Sequence, residues 1–132
     1  MTHCKAAAIL ETMWGTPGKA PGWFRINPQN HTGRRLYWLL GHKDLWCTNV
    51  CQQQVANAQQ HGKPDSSWLE RNLKRLDMEL LLVCGRIAQQ TFAVCRYRPQ
   101  CRIVEIPHPA ARTWTKQSLL EYQRIIQGLN QP

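Results

Sequence analysis

No apolar run in this chain approaches the ~20 residues that a membrane-spanning helix needs, so hydropathy encodes no span. The opening stretch Met1-Thr2-His3-Cys4-Lys5-Ala6-Ala7-Ala8-Ile9-Leu10 has too short an apolar core and no cleavage site for a secretory leader, and the expected compartment is the cytosol. The six cysteines contain no C-x2-C pair. Cys47-x3-Cys51 and Cys95-x5-Cys101 are too loosely spaced for a zinc or iron–sulfur site, so no metal and no other cofactor is expected. In a reducing compartment the thiols stay free. Cys84, within an apolar run, and Cys47 and Cys51, flanking a strand end, then read as small buried hydrophobes. Acidic residues are scarce: eight Asp+Glu face seventeen Lys+Arg, a formal net charge of +9. A domain this basic is built to meet a polyanion, nucleic acid first. Neither an internal repeat nor a linker divides the chain, which reads as one domain over residues 1–132, long enough for a single core.

What the chain does contain is strand-like runs separated by helical patterns. Residues 1–13 are alanine-rich and read as helix, whereas Gly15-Thr16-Pro17-Gly18-Lys19-Ala20-Pro21-Gly22 is saturated with breakers and reads as loop. Trp23-Phe24-Arg25-Ile26 reads as a first strand stopped by Asn27-Pro28. A polar loop then leads to a helix over 34–40, closed by Gly41. Residues 44–50 read as the second strand, and the glutamine-rich segment 52–60 fits helix or loop. Ser67-Trp68-Leu69-Glu70 has the form of a capping box, with Leu69, Leu73 and Leu76 at helical spacing behind it. A third strand over 79–84, a helix over 86–94, a fourth strand over 102–106 and an amphipathic helix over 115–127, with Leu119, Tyr122 and Ile126 on one face, complete the chain. Strand–helix alternation with connections too long for hairpins predicts an α/β fold: a three-layer α/β/α sandwich on a four-stranded parallel sheet.

In such a sheet ligands bind beyond the carboxyl ends of the strands. On this reading Asn27, Asn49, Gly85 and His108 follow or end the four strands. His108 is the centre of the expected site, because Pro107 and Pro109 fix φ on both sides of it and mount the imidazole stiffly just past a strand end.

Several segments resemble the uracil-DNA glycosylase superfamily, over about residues 15–128. Ile106-Pro107-His108-Pro109-Ala110-Ala111-Arg112 resembles its histidine–proline loop. Arg25-Ile26-Asn27-Pro28-Gln29 is similar to the G-I-N-P-G motif of its mismatch-specific branch, with Arg25 and Gln29 in place of both glycines. Cys47-Thr48-Asn49-Val50 resembles the strand end whose asparagine reads the base. Thr32-Gly33-Arg34-Arg35-Leu36 and Leu39-Leu40-Gly41 are similar to the helix after the first motif in compact bacterial and phage members.

The resemblance implies a metal-free monofunctional glycosylase that flips a uracil-like base out of DNA and hydrolyses its bond to deoxyribose. His108, as a neutral imidazole, would donate to the departing base, and Asn27 would position the water. Asn49 would read the base with one donor and one acceptor. Trp23, Phe24 or His31 would stack on it. Arg34, Arg35, Arg112 and Lys116 would hold phosphates, and Arg112 could fill the vacated stack. None of the eight acidic residues lies in the first loop as read here, where fast members of the family carry a water-activating aspartate. The expectation is therefore a slow enzyme, or as the alternative a catalytically inactive DNA-binding module on the same fold, with phage origin fitting either. A third possibility is a regulator whose basic face meets RNA or an acidic protein.

Overall fold

The apolar run Leu80-Leu81-Leu82-Val83-Cys84 is buried on both sides, as an inner strand of a sheet covered by helices must be. In the computed structural model, which describes residues 2–11, 18–19, 21–54 and 62–128, the main sheet has four parallel strands. They are β1 (Thr2–Leu10), β2 (Leu45–Asn49), β3 (Leu76–Cys84) and β4 (Arg102–Ile106), in the order β2-β1-β3-β4. Four helices accompany it among the described residues: α1 (His31–Leu40), α2 (Ser66–Leu73), α3 (Arg86–Ala93) and α4 (Lys116–Gln127). Leu36, Leu39 and Leu40 of α1 and Ile126 of α4 pack with Ala6, Ala8, Leu80, Leu82 and Cys84 on one face of the sheet. Leu69 and Leu73 of α2 and Ala88 and Phe92 of α3 pack with Ala7, Ile9, Leu81 and Val83 on the other. The result is the expected three-layer α/β/α sandwich.

One of the four strands is not the expected one. Residues 2–10, read from sequence as helix, form β1 at the centre of the sheet, paired with β2 from Ala6↔Leu45 to Leu10↔Asn49 and with β3 from Thr2↔Leu76 to Ile9↔Val83. Alanine is the best helix former, but Ala6, Ala7 and Ala8 are fully buried between neighbours on both edges and helices on both faces, and that tertiary context wins. Trp23-Phe24-Arg25-Ile26 is correspondingly not a strand of the sheet. Only Phe24 pairs, antiparallel, with Cys47. Segment 22–26 wraps the outer edge of β2: the Trp23 ring packs into the α2/α3 layer, while Phe24 and Ile26 pack into the α1/α4 layer. This covers a strand edge that would otherwise be open.

Smaller corrections concern the ends of elements. Asn30 caps α1, accepting from Thr32 and Gly33 amides, so the helix starts three residues earlier than its apolar pattern suggests. Asp65, not Ser67, caps α2 through the Trp68 amide, and Leu76 already belongs to β3. Glu70 leaves the helix end alone and accepts the Tyr97 amide. Thr115 caps α4 in a reciprocal box with Ser118, and Gly128 closes it at φ 70°. Residues 18–19 pair with 53–54 in a short antiparallel ladder. The remaining sequence readings over 12–17 and 55–60 lie outside the described residues. No helix among the described residues is long and apolar enough to cross a membrane.

The strand order locates the crevice. The chain leaves β1 through α1, on one face, to reach β2. It leaves β3 through α3, on the opposite face, to reach β4 on the other side. The switch point lies between the carboxyl ends of β1 and β3, that is between Leu10-Glu11 and Cys84-Gly85.

Candidate functional site

His108 stands beside that crevice on a loop held from several directions. The carbonyl of Ile106, the last residue of β4, accepts from the Gly85 amide at 2.9 Å and from Gln89 Nε2 at 3.0 Å. The His108 carbonyl accepts from the Ala111 amide at 2.9 Å and from Trp114 Nε1 at 2.8 Å. Arg35 donates to the Pro109 carbonyl at 3.2 Å and lies over the Trp114 ring, which meets Tyr122 edge-on. Gly85 is there because little else fits. Its φ is +87°, and a Cβ on it would stand 3.1 Å from His108 Cβ.

The mount also sets the tautomer. The Ala110 amide donates to His108 Nδ1 at 3.0 Å, so in the neutral ring the proton resides on Nε2, which is left as a donor. Burial holds the imidazole below the ordinary histidine pKa, opposed by the nearby carboxylate of Glu11. Glu11 directly follows β1 at the switch point, and its carbonyl accepts the Cys51 amide at 3.2 Å. The sequence reading passed over Glu11 because it assigned residues 1–13 to a helix. The signal was present: an apolar run that ends in one acidic residue and then enters a breaker-rich loop.

Asn49 ends β2 beside Leu10 and is 2 % exposed. Its Nδ2 is buried with no hydrogen-bond partner among the described residues. Leaving a buried donor unmet costs about 1–3 kcal/mol, which makes Asn49 an energetic exception among the described residues.

The other residues named from sequence separate into groups. Asn27 is not brought to His108. It is exposed, with its carboxamide oxygen accepting the Gln29 amide at 2.8 Å. Its carbonyl lies against Gly33, and Tyr37 Oη donates to the Ile26 carbonyl at 2.9 Å. Gly33 and Tyr37 are on the flank of α1 opposite Arg35, so Asn27 and the histidine loop lie on opposite sides of that helix. The sequence reading erred because it took 23–26 for a sheet strand. Trp23 is committed to the fold: its indole N–H donates to the Asn72 carbonyl at 2.9 Å. Phe24 is half-buried against the α1/α4 layer, bridged to Cys47. His31 opens α1 and lines an outer cleft with Arg34, Arg35, Trp38 and Leu119. Arg35 holds the histidine loop, a role the sequence reading did not foresee. Arg112 and Lys116 are exposed on either side of the turn into α4.

No protein-family model matches the chain, and no curated protein matches it. Its chemistry must therefore be read from its own side chains. All six cysteines are free. Burial pushes the Cys47 thiol up to about 12 and Cys4 to about 11, which makes them inert packing groups at neutral pH. Among the described residues no group of three or more His, Cys, Asp or Glu is placed to hold a metal ion. The carboxyl edge of the sheet thus carries an Nε2–H donor at His108 with the Glu11 carboxylate and Gly85 near it, and an unmet buried amide donor at the end of β2.

Proposed function

We propose that this protein is a DNA glycosylase that hydrolyses the bond between a flipped, uracil-like base and its deoxyribose. The observation that carries the reading is a histidine kept neutral with its proton on Nε2, at the switch point of a parallel sheet. A base leaves as an anion. A neutral donor beside its carbonyl stabilises charge that exists only in the transition state and transfers no net charge to the site beforehand. Asn49 Nδ2, buried and unmet at the end of β2, becomes a second donor to a pyrimidine carbonyl once the site opens to admit the base. The resemblance of residues 106–112 and 47–50 to the uracil-DNA glycosylase superfamily points the same way.

In the reaction the C1′–N bond breaks, and the electron pair goes to the base. Water oxygen bonds to C1′ on the opposite face. The carboxylate of Glu11 takes the proton of that water, a role asparagine could not fill, and this removes the reason for expecting a slow enzyme. Exposed Arg112 and Lys116 hold phosphates beside the crevice.

The test is abasic-site formation in oligonucleotides carrying uracil, a mismatched thymine or a modified pyrimidine. His108→Ala should lower the rate about 10²–10³-fold, the cost of one transition-state donor. Asn49→Leu should abolish discrimination between uracil and cytosine. Tight binding with no abasic sites on any of these substrates overturns the enzyme and leaves a DNA-binding module.

A further inference from the structure

The cleft outside the crevice has its own composition. It has a volume of about 510 Å³ and is lined by His31, Arg34, Arg35 and Trp38 of α1, with Leu119 of α4 as its floor. Residues 31, 34, 35 and 38 follow the spacing of one helix face and extend about 10 Å along the axis. Trp38 is 46 % exposed, unusual for an indole with a packed layer beneath it. Its backbone is fixed by Gln123 Nε2, which donates to the Trp38 carbonyl at 3.4 Å. None of the lining residues is acidic, and Lys116 lies one turn before Leu119 on α4.

We infer that this face of α1 is a docking surface for a single-stranded polynucleotide, with Trp38 stacking on one unpaired base and Arg34 neutralising a phosphate. Charge complementarity selects a polyanion. The aromatic selects an unpaired one, because a base in a duplex already has both faces covered, whereas an exposed indole needs one free. A second copy of the chain fits poorly: a two-fold contact here would set Arg34 and Arg35 against their own symmetry mates. α1 begins at the carboxyl edge of the sheet and descends from it, so a strand leaving the crevice would run past His31 toward Trp38. Arg35 links the two places, since it lines the cleft and holds the Pro109 carbonyl.

The surface deepens the glycosylase reading but is tested without it, using a fluorescent oligothymidine that contains no excisable base and the matching duplex. Trp38→Ala should weaken single-strand binding about tenfold, within the range of one lost base stack. Trp38→Phe should restore most of it, and duplex affinity should change less than about twofold. Arg34→Gln should reduce the dependence of log K on log salt by about 0.7, the value for one phosphate contact on a single strand. Unchanged affinity in Trp38→Ala overturns the proposal, as does equal loss on both strand forms. A change in oligomeric state without a change in affinity also overturns it and makes the patch a self-association surface. If no base is ever excised but the Trp38 effect persists, the glycosylase reading fails and this surface stands.

Discussion

Two histidines sit at opposite ends of the same central sheet and are treated in opposite ways. His3, near the start of β1, is exposed, with Nδ1 at 2.8 Å from Asp77 and Nε2 at 2.9 Å from Glu79 across on β3. Hydrogen bonds to Asp77 first and Glu79 second raise its pKa. His108 lies past the end of β4. Its Nδ1 faces an amide, and burial lowers its pKa. Two carboxylates favour the charged form of one ring, and partial burial favours the neutral form of the other. The difference lies in the neighbours, not the residue type. Strand periodicity puts acidic side chains opposite His3, while prolines and a positive-φ glycine put backbone around His108.

Several experiments would break or sharpen this contrast, taken from the largest expected effect down. Glu11→Gln should slow excision about 10²–10⁴-fold if the carboxylate takes the proton of water. Because Glu11 raises the His108 pKa, the same change should also move the imidazole titration further down, readable by NMR. A titration that does not move would detach Glu11 from the histidine. Gly85→Ala forces a side chain into φ +87° and against His108. It should cost about 1–3 kcal/mol in denaturant unfolding, with His3 resonances unaltered. Trp114→Phe deletes the indole donor to the His108 carbonyl and should cost about 1 kcal/mol, while lowering the excision rate more than substrate affinity.

The pH profiles should have opposite signs. For His108 the folded pKa lies below the unfolded one, so its contribution to stability is complete above about pH 6.5 and is lost as pH falls through the folded value. Excision should fall in the same direction. For His3 the folded pKa is raised, so its contribution is complete below the unfolded value and is lost as pH rises through the folded one. Its ring is solvent-exposed, so His3→Ala should flatten only a small, salt-sensitive limb of the stability profile. A salt-independent limb would mean that the pair is less solvated than its exposure implies.

How much of this was legible from sequence differed by element. The apolar run ending at Cys84-Gly85 announced itself, because a strand buried on both faces has no polar alternation to hide it; the strand over 102–106 lies where the sequence put it, but as an edge strand buried only at Ile106. The fold class followed, since parallel pairing is forced by the length of the connections. β1 was illegible because small residues serve equally in a helix and in a crowded central strand. That one misreading displaced the site: it promoted Asn27 to a strand end and concealed Glu11. Asn49 and His108 keep their expected positions at the ends of β2 and β4 because those strands were read independently. The clamp formed by Arg35, Gln89 and Trp114 had no sequence signature, since Arg35 and Gln89 reach backbone carbonyls distant in the chain and Trp114 reaches back across its own loop to His108.

The unmet amide of Asn49 carries a thermodynamic consequence. Whatever carbonyl enters recovers a debt contracted during folding, so occupancy and conformational robustness rise together. On the proposed reading the protein should melt earliest without a bound base, and a hydrophobic replacement at residue 49 would harden the scaffold at the expense of that binding.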